Sequence, residues 1–305
     1  MMINNDYTRE LGWFELMHLS GSQKSTFNIV IVAKIIGDLK PTELREALYI
    51  IQQRNHVLGV RVQEIAGKLY FTNKEVPIIP LEIIIKKDDK KEWETIRTNE
   101  LNTNFDIKCG PLARVKYLIG SSANEIILTC HHAISDGVSA IYFFKELLDI
   151  AFNLQSGNNI ESLMYPQRLP VEEIIPEFEF NIQNTETALT EKHSNQPHSR
   201  YISSAAILET HEHKIYAKDI LLSEEQTSIL IRQCKYNGVT VQSFMCANLM
   251  LALYKVLAHS TNQNDLPINM VCNTLVNIRP YLGISCNGSL SKTPRLAISD
   301  LIWPK

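Results

Sequence analysis

The stretch "IILTCHHAISDGVS" (126–139) runs from an apolar segment into two adjacent histidines, then an aspartate and a glycine. The apolar run reads as a buried strand, and "GVSAIYFFKELLDIAFNLQSG" after it reads as a helix. The histidines therefore fall at the carboxyl end of a strand, and Gly137 at the start of a helix. Side chains alternate along a strand, so His131 and His132 cannot point the same way. One can face a cleft while the other packs inward. That geometry argues against a metal held by the pair, which would need further ligands that this spacing does not supply. A histidine at the edge of a cleft, with an ordinary pKa of about 6.5, is well placed as a general base. Asp136 either orients an imidazole or locks the loop by pairing with an arginine. Gly137 lets backbone pass close to a substrate or opens the helix without steric penalty. A purely structural histidine pair is the plain alternative. The residues alone lead as far as proton abstraction from a nucleophile, with the reaction open.

Upstream, "STFNIVIVAKIIG" (25–37) predicts a long, largely buried strand. "KPTELREALYIIQQR" places Leu44, Ala47, Leu48 and Ile51 on one helical face, with Pro41 near its start. "GVRVQEIAGKLYFTN" predicts a hairpin around "AG", and "PLEIIIK" a further strand. "DDKKEWETIRTNELNTNF" predicts a polar helix whose Asp88 and Asp89 suit its positive end. "PLARVKYLIG" and "NEIILTCHH" predict two strands joined by "SSAN". Mixed strands and helices with hairpin-like connections favour an α/β (α+β) sandwich with a mixed sheet over a doubly wound parallel one.

Downstream the character changes. Residues 1–154 are expected to form one lobe and the Pro-, Asn- and Ser-rich stretch 155–202 a linker or crossover. Residues 203–305 are expected to form a partial second lobe. There "THEHKIYAKDILLS" predicts a strand, and Ser223 with Gln226 a capping box for a helix that Gly238 ends. Thr240 caps "VQSFMCANLMLALYKVLAHS", read as a helix buried on most sides, and "PINMVCNTLVNIRP" reads as a buried strand.

At 305 residues the chain calls for two lobes. Thirty basic and 33 acidic residues give a net charge of −3, so no field recruits nucleic acid or an anionic membrane. No apolar run is long enough for a transmembrane helix, and "MMINNDYTRELGW" lacks the pattern of a signal peptide, so a cytoplasmic location is expected. Cys109, Cys130, Cys234, Cys246, Cys272 and Cys286 show no CxxC spacing and read as reduced core thiols.

"HHAISDG" resembles the HHxxxDG signature of the superfamily of condensation domains and CoA-dependent acyltransferases, which includes peptide condensation domains, phthiocerol acyltransferases, alcohol acetyltransferases and wax ester synthases. Neighbouring segments match in order. "FDIKCGPLARV" (105–115) is similar to the family's FDxxxGPLxRxxL, and "ELREALYIIQQRNHVLGVRV" (43–62) to its LxxALxxlxxRHPxLR. "LPVEEIIP" (169–176) is similar to a proline-flanked acidic stretch of the alcohol acetyltransferase and phthiocerol acyltransferase branch. "TVQSFMCANLMLAL" and "VNIRPY" are similar to a second-lobe helix and strand.

The resemblance implies a chloramphenicol acetyltransferase-like lobe with a mixed sheet, followed by an incomplete second lobe, since the chain ends about a third short of the family's usual size. It implies acyl transfer from a CoA- or phosphopantetheine-linked thioester to a hydroxyl or amine, with an acyl or peptidyl carrier protein as a partner. No metal and no permanently bound cofactor are expected. His132 would be the base, His131 structural, and Asp136 one side of a buried ion pair with Arg279, Arg61 or Arg114. The Gly137 amide would help hold the oxyanion. Gly59 stands where condensation domains often carry arginine, which favours O-acylation by a stand-alone enzyme over amide formation. A remnant that at most binds thioesters is the competing reading.

Smaller signals read plainly. His211 and His213 in "HEH" share a strand face but lack a third ligand. Ser135 has no nucleophile elbow around it. "KKDDKKE" is a mixed-charge surface. "NGS" (287–289) has the glycosylation pattern, which a cytosolic chain does not use.

Overall fold

The computed structural model describes residues 7–21, 26–87, 92–121, 123–161, 163–174, 214–260, 275–277, 279 and 301–302. It divides into two compact units, Met1–Phe178 with His213–Tyr216 and Asn277–Leu301, and Glu179–Glu212 with Ala217–Val276 and Ile302–Lys305.

In chain order the first unit begins with β1 (Thr8–Glu10), α1 (Trp13–Gly21), β2 (Asn28–Ile35) and α2 (Pro41–Arg54). Strands β3 (Arg61–Ile65), β4 (Lys68–Thr72) and β5 (Leu81–Ile85) and helix α3 (Glu92–Asn102) follow. Then come β6 (Ala113–Ile119), β7 (Asn124–His131), α4 (Gly137–Gln155) and the one-turn α5 (Val171–Ile174). Four strands form a sheet in the order β2-β7-β6-β5, and three form a second in the order β1-β4-β3. In the larger sheet β7 runs antiparallel to β2 and β6, while β5 runs parallel to β6. The mixed sheet is thus as the connections predicted. Between β3 and β4, Ala66 and Gly67 both take positive φ (51° and 79°), the geometry of a tight hairpin.

Alternation along β7 organises both faces of the sheet. Ile126, Leu128 and Cys130 join the core cluster with Leu44, Leu48 and Ile51 of α2 and Phe143 and Leu147 of α4. Thr129, of opposite parity, donates its hydroxyl to Glu100 on α3 (2.9 Å). The predicted α2 face is buried as expected, with Pro41 in its first turn. Strand β2 departs from expectation: it is only half-buried, and among the described residues it is the edge of its sheet, with no strand partner on one flank.

The second unit carries α6 (Glu224–Tyr236) and α7 (Val241–Ser260). The capping box is present: Gln226 N–H donates to Ser223 Oγ (3.1 Å), and Ser223 N–H to Gln226 Oε1 (2.8 Å). Thr240 Oγ1 accepts the Ser243 N–H (3.0 Å). Two expectations fail here. Helix α7 is not buried: Phe244, Met245, Leu249, Leu251 and Leu253 are exposed. Residues 214–222 form no strand. Of "PINMVCNTLVNIRP" the described strand is Leu275–Val276, and Leu301–Ile302 is a further two-residue strand. Asp88, Asp89, His211, His213, Cys272, Cys286 and the "NGS" site lie outside the described residues. No helix among the described residues is long and apolar enough to cross a membrane.

Candidate active site

The turn between β7 and α4 is held by its own backbone and by one carboxylate. His131 N–H donates to the Leu112 carbonyl (2.9 Å), His132 N–H to the Phe27 carbonyl (2.8 Å), and Ile134 N–H to the His131 carbonyl (3.1 Å). Asp136 is the N-cap of α4, accepting the Ser139 N–H on Oδ1 (2.7 Å). Ser135 is buried and donates its hydroxyl to the Asp136 carbonyl (3.0 Å), a loop role rather than a nucleophile's.

The two histidines differ as strand alternation requires. His131 is buried, and its Nδ1 accepts the Ala133 N–H (3.0 Å), which leaves the ring proton on Nε2. Nε2 has no hydrogen-bond partner among the described residues, and a second ring proton would have to sit on Nδ1, facing the Ala133 N–H. Burial first, and then the neighbouring His18 and His132, lower its pKa to about 4. Phe105 meets its ring edge-on at 6.2 Å. Phe105 in turn lies under the Arg114 guanidinium (4.1 Å to the ring centroid), and Arg114 Nε bonds Glu100. Burial pushes the Glu100 carboxyl up, but Arg114, Thr129 and Lys116 outweigh it and hold it below the usual range. His132 is only partly buried.

Of the three candidate partners for Asp136, Arg279 is the one that reaches it. One guanidinium nitrogen donates to Oδ1 and Oδ2, both at 2.7 Å, and to the Ser139 hydroxyl at 2.7 Å. Both side chains are nearly sealed, at 10% and 2% exposure. Arg114 is committed to Glu100, and Arg61 to the Lys74 carbonyl (2.9 Å) and Glu75 (3.7 Å). Gly137 is exposed, and a Cβ there would meet nothing within 4 Å. Among the described residues no neighbour requires glycine at this position.

A side chain that the sequence reading passed over joins these residues. His18 of α1 lies face to face with His132, with ring centroids 4.2 Å apart and planes within 8°. Its only sequence signal is the i, i+4 spacing from Phe14, the residue whose carbonyl its Nδ1 contacts. A separate cleft of about 450 Å³, lined by Arg54, Tyr142, Glu146 and Tyr165 among others, contains none of the motif residues. The Cys130 thiol, behind the motif, is fully buried and pushed up to about 12, which leaves it inert as a nucleophile.

Comparison with known proteins gives this arrangement a family. The chain is 26% identical over 147 residues to the nonribosomal peptide synthetase atnA of Emericella nidulans, covering 45% of this chain and 2% of that protein. It is 29% identical over 126 residues to surfactin synthase subunit 2 of Bacillus subtilis, covering 41% and 3%. It therefore spans only a few per cent of the length of these relatives. In fold it is similar to the first condensation domain of the calcium-dependent antibiotic synthetase, solved with substrate analogue 2a. The TM-score is 0.60 at 15% identity, over 84% of this chain and 61% of that one. The condensation domain of the Monacolin K polyketide synthase MokA gives a TM-score of 0.53 at 16% identity, over 84% and 60%. The sequence model of the condensation-domain family matches residues 13–274, and the chain belongs to that family.

Proposed function

We propose that this chain catalyses condensation-type acyl transfer, in which an acceptor amine attacks the carbonyl of an acyl group held as a thioester. The carrying observation is the division between the two imidazoles: His131 is sealed and kept neutral, while His132 retains access at the end of β7. As the amine nitrogen bonds the carbonyl carbon, its proton passes to His132. The negative charge on the carbonyl oxygen is met by the Gly137 N–H at the positive end of α4. When the carbon–sulfur bond breaks, His132 returns the proton to the departing thiolate. Asp136 and Arg279 do no chemistry in this reading; they fix the turn that carries both groups.

The relatives are peptide synthetases, which favours amide formation and a phosphopantetheine-linked donor on a carrier protein over a free acyl-CoA. A hydroxyl acceptor is the second reading, favoured by Gly59. Its Cα lies against Gln52, and an added Cβ would come within 3.2 Å of that side chain. An arginine could not enter there unless Gln52, which donates to the Pro77 carbonyl (2.9 Å), gave way.

The test is thiol release and product formation from acyl thioesters of pantetheine, CoA and a carrier protein. Each is offered an amine or an alcohol, for the native chain and His132→Ala. Acceptor-dependent release that falls by about a hundredfold or more in the variant supports the base role. Equal release by both chains refutes it. A folded native chain with no turnover on any donor refutes the transferase reading and leaves thioester binding alone.

A further inference from the structure

The stacked ring of His18 is explained by neither the motif nor the proton transfer proposed above. His18 is buried, and its orientation is fixed twice. Its Nδ1–H donates to the Phe14 carbonyl one turn back (2.7 Å), and Phe27 meets its ring edge-on at 5.9 Å. The Phe27 carbonyl also accepts the His132 N–H, so one residue braces both imidazoles. The helix that carries His18 is itself anchored at its start. Glu15 pairs with Arg9 at 2.6 Å and accepts the Gly12 N–H at 2.7 Å, while Glu172 of α5 takes the Trp13 N–H. Gly12 permits that approach, because a Cβ there would fall 2.6 Å from Pro170 Cβ and closer still to the Glu172 carboxylate.

From these contacts we propose that His18 is a positioning residue for His132, a fixed flat surface that sets the plane of the His132 ring. The inference rests on the base role given to His132. The torsion that turns an imidazole about its Cβ–Cγ bond is broad, so backbone geometry alone does not set the ring plane. A parallel ring at contact distance does set it, and the stack occupies a face rather than the edge where protons move. The choice of partner also matters in the charged state. When His132 takes a proton it becomes a cation, which a neutral ring face attracts and a second cation at the same distance repels. His18 is kept neutral by burial first and by His132 second, which lower its pKa to about 4. Of the other charged groups at the turn, Asp136 and Arg279 are engaged with each other, and His131 is held neutral on the far parity of β7.

The experiment follows the His132 ring directly, in the full chain labelled with isotopic histidine, by nuclear magnetic resonance. Native protein, His18→Leu and His18→Phe are compared, with His132→Ala to assign the signals. Leucine fills the space without a flat face, whereas phenylalanine keeps the face. In His18→Leu the ring signals of His132 shift. Its kcat falls by about tenfold to a hundredfold with KM nearly unchanged, the scale of a misplaced catalytic group. His18→Phe restores the ring signals and most of kcat. Unchanged ring signals in a folded His18→Leu chain would overturn the proposal, and so would a His18→Phe chain as damaged as His18→Leu. Full turnover by His132→Ala would instead sink the base role, and that is read on a separate variant.

Discussion

Asp136 gathers the Ser139 N–H and two contacts from Arg279 onto one carboxylate that is nearly closed to water. A buried pair is costly to break from one side, because the remaining charge is left without its partner. Asp136→Ala is therefore expected to lower stability by about 3–5 kcal/mol, and Arg279→Ala by a similar amount. The double variant Asp136→Leu/Arg279→Met should recover much of that loss, as chemical denaturation would show. Inactivity of Asp136→Ala would say nothing about chemistry unless the double variant, refolded, were inactive too. The imidazoles make a second prediction. Unfolded, His18 and His131 each bind a proton with a pKa of 6.5; folded, that falls to about 4. Between those values the unfolded chain holds more protons, so stability is full above 6.5, declines as pH falls, and levels off below about 4. Each tenfold weakening of proton binding corresponds to about 1.4 kcal/mol, so the two rings together give a total decline on the order of 7 kcal/mol across that window. His18→Phe should make the decline shallower in melts taken from pH 7 to 4, and an unaltered slope would count against a neutral, buried His18.

Among the elements, α1 has the greatest leverage for its size. It has nine residues, and its place is set at one end by Arg9, Glu15 and Glu172 and at the other by His18 against His132. Gly12→Ala should force the Pro170–Glu172 segment or the helix aside, at a cost of about 1–3 kcal/mol. Amide exchange would then rise in residues 13–21 before it rises in β7. Exchange unchanged in α1 would mean that the segment yields without moving the helix. The same element marks where sequence reasoning stopped. The turn from β7 into α4 was legible because an apolar run, two adjacent histidines and a helix-opening glycine coincide within fourteen residues, although the capping role of Asp136 came only from the structure. Helix α1 lacks such local agreement. Its buried residues are only Phe14, His18 and Leu19, and the partner that gives His18 its place, His132, lies more than a hundred positions away in the chain. The family resemblance left three arginines as candidates opposite Asp136, but choosing Arg279 required knowing that Glu100 already holds Arg114 and that Arg61 serves Lys74 and Glu75.

At the scale of the whole chain, the two units differ in how they treat apolar surface. In the first, the helical period of α2 predicted burial correctly: Leu44, Ala47, Leu48 and Ile51 all lie in the core. In the second, the same logic failed for α7, because a run that is apolar on every side shows only that the helix can be buried, not what buries it. Leu249, Leu251 and Leu253 are 66%, 59% and 52% exposed, and Ile231 on α6 is 52% exposed. Isolated apolar side chains on a surface are ordinary, but several on one helix form a patch that water does not favour. Leu249 and Leu253 are four residues apart and share a face. The native chain is therefore expected to bind a hydrophobic fluorescent dye at neutral pH while its tertiary circular dichroism shows a packed first unit, which separates this exposure from general loosening. Replacing Leu249 and Leu253 together with glutamate should cut that dye signal at least about twofold and reduce self-association in sedimentation, since a charge is added where the surface was apolar. Glutamate is a good helix former, so α7 should keep its helical signal and the change can be assigned to the face rather than to a broken helix. An undiminished dye signal in the double variant would show that the exposed surface lies elsewhere and that α7 is covered in solution.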